Sequence, residues 1–194
     1  MKPSDAYELA KIKMASLQHN IFSKMGYEFL EKFYFMQFYS APDGFIIVSE
    51  QESGIIEGFV AGSADYGRQS RYVNLQLLYA LIKCFARNPL KMLKLMFLLT
   101  HDWGHLSNVE LKKYGRLCSL AVSKEHRGRG IGSLLTESLI DELRARGVKN
   151  CYLTCIEDNY NAMSLYKKHG FVVSHTYDNS GVKWALLTLR LSNT

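Results

Sequence analysis

Not one aspartate or glutamate occurs between Tyr66 and His101, and other absences bound the chain as firmly. The four cysteines, Cys84, Cys118, Cys151 and Cys155, form no Cys-x-x-Cys pair, and no histidine stands at metal-ligand spacing from them. They read as small apolar residues in a reducing compartment, with neither a disulfide framework nor a metal site expected. No run approaches the roughly 18 apolar residues that a membrane span needs. The opening Met-Lys-Pro-Ser-Asp has no apolar stretch, so no secretory signal is expected and a cytoplasmic location is. No Gly-Lys-Ser or Gly-Lys-Thr occurs, which excludes a phosphate-binding loop of the G-x-x-x-x-G-K-[ST] kind. A dinucleotide fingerprint fails as well, because Ser133 stands where a glycine is required. With no internal repeat and no low-complexity linker, residues 1–194 read as a single domain.

What is present points the same way. Hydrophobic residues make up 47% of the chain, enough for a sizeable core. The formal net charge is +6 and the pI about 9.1, which favours an anionic partner without naming it. Arg68, Arg71, Lys83, Arg87, Lys91 and Lys94, all in the acid-free stretch, match that whole excess. Asn88-Pro89 divides the stretch into two expected helices. Leu75, Leu78, Tyr79, Ile82 and Phe85 mark one apolar face, and Leu90, Leu93, Phe97 and Leu98 another. Three readings fit: a basic-sided lid packed on the domain, a basic surface for an anionic membrane or a protein partner, or a cradle for an anionic acceptor. His101-Asp102-Trp103-Gly104-His105 follows, readable as a polar helix terminus or as the source of a general base. A histidine and an aspartate one apart do not face each other on a helix.

Upstream, Ser4 or Asp5 can cap a first helix carried by Leu9, Ile12, Met14 and Leu17. A second helical stretch, about 23–39, holds Phe29, Phe33, Tyr34, Phe35, Phe38 and Tyr39, either core or the wall of a pocket. Pro42-Asp43-Gly44 is a turn signal, and 45–49 and 55–63 read as two strands of a hairpin. Gly58 and Gly62 inside the second strand mark a bulge or a close backbone approach.

The densest signal is Arg127-Gly128-Arg129-Gly130-Ile131-Gly132, between the strand-like Leu117–Val122 and a patterned helix of about 133–146. Its glycines allow positive φ and close approach, so successive amides can point into one concavity. The next helix adds its unpaired first amides and the positive end of its dipole. This is an anion site, best suited to a pyrophosphate; a glycine-rich turn that merely starts a helix is the plainer alternative. Leu135, Leu139, Ile140 and Leu143 form the helix's apolar stripe and Gly147 stops it. A strand from Val148 to Glu157 then completes a βαβ unit with parallel strands. Next comes Asn159, a fair N-cap, with Tyr166 on the same helix face, then Gly170 and Phe171. Residues 172–178 and 183–191 close the chain as an antiparallel hairpin.

Two patterns, R-x-x-G-x-G at Arg127, Gly130 and Gly132 and N-x-x-A-x-x-L-Y-…-G-F at Asn159, Ala162, Leu165, Tyr166, Gly170 and Phe171, stand in order. From about Arg116 to its end the chain therefore resembles the GNAT superfamily of N-acetyltransferases. The resemblance implies an α/β GNAT fold, a mixed central sheet flanked by helices, with the basic helical stretch of about 66–113 as an insertion before the strand preceding the glycine loop. It implies acetyl-CoA as cosubstrate, with the pantetheine arm along Leu120, Ala121 and Val122 and the pyrophosphate on Arg127, Gly128, Arg129, Gly130, Ile131, Gly132 and Ser133. Asn159 would orient the cofactor or cap its helix, and Tyr166 matches the family's general acid. The first two helices would border the acceptor site.

The expected reaction is direct transfer of an acetyl group to a primary amine of a small molecule or a protein, in a ternary complex. An amine with a pKa of about 10.4 must first lose a proton. Leu117–Val122 lacks the carboxylate that the family often places there; Glu57, Asp65 or Glu110 acting through water, with Ser119 holding that water, are the candidates. The alternative is a CoA-binding sensor or scaffold that uses the basic insert against a membrane or protein. Nucleic acid is not an expected partner, since the basic residues alternate with core-type leucine and methionine.

Overall fold

The computed structural model describes residues 2–16, 27–69, 71, 114–179 and 181–191. The two helices expected around Asn88-Pro89, the cluster 101–105, Glu110, Cys84 and Leu17 lie outside them, as does the side chain of Phe33.

A 3-10 turn, Pro3–Asp5, leads into α1 (Ala6–Ser16). The aromatic stretch forms α2, residues 27–40, whose middle turns Leu30–Phe35 are wound as a π-helix. The strands β1 (Gly44–Glu50) and β2 (Ile56–Ser63) follow as a hairpin. Beyond a helical turn at 66–69, the description resumes with β3 (Gly115–Val122), α3 (Ile131–Ala145) and β4 (Asn150–Ile156). Then come α4 (Tyr160–Lys168), β5 (Val172–Asn179) and β6 (Val182–Arg190).

The six strands form one mixed sheet in the order β1-β2-β3-β4-β6-β5. Only β3 and β4 run parallel, as a strand–helix–strand crossover requires. The closing hairpin is present, but β6 rather than β5 lies beside β4, because α4 carries the chain to the outer edge before it returns.

Each face of the sheet has its own core. Leu135, Leu139 and Leu143 of α3 pack with Tyr166 of α4, Phe171, Leu153 and Leu187 on one side. Leu9 and Ile12 of α1 pack with Leu30, Tyr34, Phe35 and Phe38 of α2, Phe59 and Ala121 on the other. The π-turns deliver consecutive aromatics inward: Tyr34 meets Phe35 edge-on at 5.1 Å, and Phe35 meets Phe59 edge-on at 5.2 Å. Burying such a ring is worth roughly 1.5–3 kcal/mol, so the stretch is core along Tyr34, Phe35 and Phe38 while Tyr39 stays exposed.

Gly62, like Gly58 on the same strand, is a place where the sheet needs a missing side chain. A Cβ there would stand 2.6 Å from Phe45 Cζ and 2.9 Å from Leu139 Cδ1. The register between β2 and β3 slips at this point, pairing Ala61 with Ser119 and Gly62 with Leu117. Cys118 is thus the extra residue of a bulge, and it packs on the α1–α2 side. Ser119 meets α1 on that side too, so two neighbouring β3 residues face one way.

Candidate functional site

The sheet opens at its parallel joint. The β3–β4 ladder consists of Gly115 with Cys151 and Arg116 with Tyr152, and then stops. From Leu117 to Val122, β3 is paired with β2 and not with β4. Alternate residues of an antiparallel ladder turn their backbone groups away from the neighbour, so alternate groups along Leu120, Ala121 and Val122 face this edge, apart from the Val122 carbonyl, which is engaged, and the edge leads straight to the glycine loop.

In the loop, Gly128 and Gly130 have φ of 76° and 82°, a region that costs most L-residues about 1–2 kcal/mol. Neither would crowd anything with a Cβ, so conformation and open space are what these glycines supply. Gly132 differs from expectation. It lies inside α3 without positive φ, and its Cβ would only touch Leu165 of α4 at 3.4 Å. The first backbone bond of the helix is Leu134 N–H to the Gly130 carbonyl at 3.0 Å. Among the described residues, the amides from Gly128 to Ser133 donate to no backbone carbonyl. These amides and the helix's positive end form one anion-binding surface, with Arg129 exposed beside it.

Arg127 is less free than its place in the motif suggests. Its Nε donates to the Val122 carbonyl at 3.1 Å and its Nη2 to Ser16 Oγ at 2.8 Å. Ser16 Oγ also donates to the Val122 carbonyl, at 3.2 Å. The arginine therefore ties the loop to the last turn of α1, and that carbonyl is already engaged twice. Ser133 Oγ is joined to His169 Nε2 at 2.8 Å, linking the start of α3 to the end of α4.

Asn159 caps α4: its Oδ1 accepts from the Ala162 amide at 3.2 Å. One turn and more along that helix, Tyr166 is 7% exposed and edge-on to Phe171 at 5.9 Å. Burial, followed by the nearby Cys155, raises the acid–base midpoint of its phenol well above the ordinary value. Tyr166 is thus a phenol that keeps its proton through neutral pH.

Of the carboxylates considered as bases, the two among the described residues, Glu57 and Asp65, are committed elsewhere. Glu57 accepts from Ser49 Oγ at 2.9 Å and Gln51 Nε2 at 3.0 Å, and these bonds, Gln51's first, lower its pKa and weaken it as a base. Asp65 accepts the Arg68 amide at 2.8 Å and pairs with that guanidinium at 3.7 Å. Ser119 holds a lysine: Lys13 Nζ donates to its Oγ at 2.8 Å. Lys13 is fully buried, with its ammonium 4.1 Å from the centre of the Tyr34 ring. The sequence reading had not singled out Lys13. Its signal was positional, since it continues the buried stripe Ala6, Leu9, Ala10 at helical spacing.

Fold and loop together define a class, and comparison with known proteins bears on it directly. The model of the acetyltransferase (GNAT) family matches residues 92–171. A segment of 57 residues is 40% identical to N-alpha-acetyltransferase 30 of Schizosaccharomyces pombe, covering 29% of this chain and 38% of that protein. Another of 55 residues is 42% identical to the [ribosomal protein bS18]-alanine N-acetyltransferase of Salmonella typhimurium, covering 28% and 37%. The chain thus spans well under half the length of these relatives. Among solved structures, the ribosomal-protein-S18-alanine N-acetyltransferase from Escherichia coli superposes with a TM-score of 0.60 at 15% identity, over 99% of this chain and 89% of that one. A Salmonella typhimurium structure with its cofactor acetyl-CoA gives 0.60 at 15%, over 100% and 92%. The chain has the GNAT acetyltransferase fold, and its matched segment carries the family's sequence pattern.

Proposed function

We propose that this chain transfers the acetyl group of acetyl-CoA to a primary amine. The observation that carries the reading is the continuity of two unpaired backbone surfaces. The edge of β3 beyond Arg116 runs directly into the free amides of Gly128–Ser133. A ligand with an extended amide-bearing arm and a pyrophosphate matches both at once. The relatives named as N-acetyltransferases and the neighbour holding acetyl-CoA support the same ligand.

In this reading the edge of Leu120, Ala121 and Val122 aligns the arm through backbone bonds. Val122 contributes its amide side, because its carbonyl is taken by Arg127 and Ser16. Arg127, Gly128, Arg129, Gly130, Ile131, Gly132 and Ser133 hold the phosphates, Arg127 chiefly by keeping the loop in place. Asn159 acts by capping α4 and so fixing Tyr166. The thioester supplies an activated acyl carbon, and much of the acceleration comes from holding an amine beside it. Attack forms the C–N bond, and collapse breaks the C–S bond. Tyr166 then gives a hydrogen bond to the departing sulfur, whose thiolate is close to the free-cysteine range of about 8.5. Complete transfer from so weak an acid runs uphill, so the phenol works by stabilising charge and regains any proton quickly.

Calorimetry with acetyl-CoA, followed by an amine panel with free-thiol detection, tests this function. Micromolar binding and acceptor-dependent thiol release are expected. No binding, together with no release from any amine, would refute it.

A further inference from the structure

The proposed reaction needs a destination for the proton that a basic amine must lose. Of the carboxylates considered, the described ones are tied down by Ser49, Gln51 and Arg68, and β3 has none between Leu117 and Val122. What this part of β3 does carry is Ser119, paired with Ala61 of β2 and turned toward α1 by the bulge at Cys118, where the Tyr34 phenol also bonds its hydroxyl. Behind its hydroxyl stands the buried amine of Lys13, at 2.8 Å.

We infer that Lys13, acting through the Ser119 hydroxyl, accepts the proton that the acceptor amine loses before it attacks the thioester. The inference rests on the acetyl-transfer reading above. A serine hydroxyl can donate to a neutral lysine nitrogen while accepting from an incoming ammonium N–H, so one concerted shift moves a proton from substrate to Lys13. The balance closes: the ammonium becomes an amine, Lys13 becomes an ammonium, the freed lone pair forms the C–N bond, and the second proton, lost by nitrogen once that bond exists, goes to the departing thiolate. After turnover the proton leaves Lys13 by the way it came, through the Ser119 hydroxyl.

The surroundings suit a lysine that is neutral when the cycle begins. From α2 it faces the Tyr34 ring, and from β3 it faces Cys118 and Ser119. Arg116 acts on the same thiol from two residues away and stacks 4.2 Å from Tyr66 and 5.3 Å from Tyr152. No carboxylate acts on Lys13 among the described residues, so nothing there holds its positive charge. Burial consequently lowers its pKa from 10.5 to about 7. A base poised there can take a proton from an amine at neutral pH and still release it.

The test compares wild type with Lys13→Met and Ser119→Ala, measuring thiol release from acetyl-CoA with propylamine, spermidine and an alanyl peptide. For wild type, the pH profile should rise through about 7 and then level off, since above the pKa of the amine no proton need be removed before attack. Lys13→Met should lose about 100-fold in turnover at pH 7 and bind acetyl-CoA as tightly as wild type. Its residual rate should climb with pH up to the pKa of the amine, since only pre-neutralised amine can then react. Methoxyamine, already neutral at pH 7, should lose less than 5-fold. Ser119→Ala should behave as Lys13→Met does. An unchanged pH profile in Lys13→Met, or equal losses for basic and neutral amines, would overturn the inference alone. A wild-type chain that binds no acetyl-CoA would overturn the functional reading and this inference with it.

Discussion

Replacing Lys13 by methionine should stabilise the fold at neutral pH. In the unfolded chain this lysine titrates near its ordinary 10.5, and in the fold near 7. Above pH 10.5 it is neutral in both states and its charge costs nothing. Between 10.5 and 7 the unfolded chain holds a proton that the folded chain does not, so stability falls as the pH drops. Below 7 both states hold it and the full penalty applies. At about 1.4 kcal/mol for each tenfold change in the proton equilibrium, the penalty reaches on the order of 4–5 kcal/mol. Methionine removes that charge and nearly matches the volume, but it forfeits the bond to Ser119 and the contact with Tyr34, each worth about 1 kcal/mol. The variant should therefore be about 2–3 kcal/mol more stable than wild type at pH 6, and slightly less stable at pH 10. Urea unfolding followed by circular dichroism at pH 6, 8 and 10 reads the difference directly. Other titrating groups, such as the buried phenols of Tyr34 and Tyr166, cancel between the two proteins. A difference that is constant with pH, or a variant less stable at pH 6, would refute a lysine buried without a counter-charge.

Three further outcomes are expected of the same fold. Tyr166→Phe should lower turnover by about 100-fold while leaving the calorimetric Kd for acetyl-CoA unchanged; wild-type turnover would remove the phenol from the chemistry. Arg127→Ala should weaken acetyl-CoA binding and also lower the thermal midpoint by several degrees, because Arg127 holds the Val122 carbonyl and Ser16; an unchanged Kd would count against the phosphate cradle. Gly62→Ala should cost about 1–3 kcal/mol in urea unfolding, since its Cβ would meet Phe45 and Leu139 below contact distance, and a neutral result would mean that α3 can shift freely.

Why some of this was readable in the sequence and some was not comes down to the range of the forces. Gly62 betrayed the bulge because a glycine in a strand has few local uses, and the alternation of Arg127–Gly132 betrayed the anion surface because unpaired amides and positive φ are local properties. The crossover gave the parallel joint by handedness alone. The opening of that joint after Arg116 had no local mark; it depends on how β3 and β4 diverge once two pairs are made. Arg127 shows the limit most sharply. Its motif position is visible at once, yet its bond to Ser16 comes from a helix more than a hundred residues upstream.

Read alone, a lysine in a first helix is a solvated charge, and only the stripe of Ala6, Leu9 and Ala10 hints that Lys13 turns inward. Its partner Ser119 faces it because Cys118 is bulged, and Cys118 is bulged where the register slips beside Gly62. The glycine that leaves room for Phe45 thus sits at the slip that goes with the side of β3 the serine takes. If Gly62→Ala forces the register straight, Ser119 should swing from Lys13 toward α3, and the pH-dependent stability difference between lysine and methionine at position 13 should change in that background. Strict additivity of the two substitutions at every pH would mean that the slip in register and the lysine–serine bond are independent.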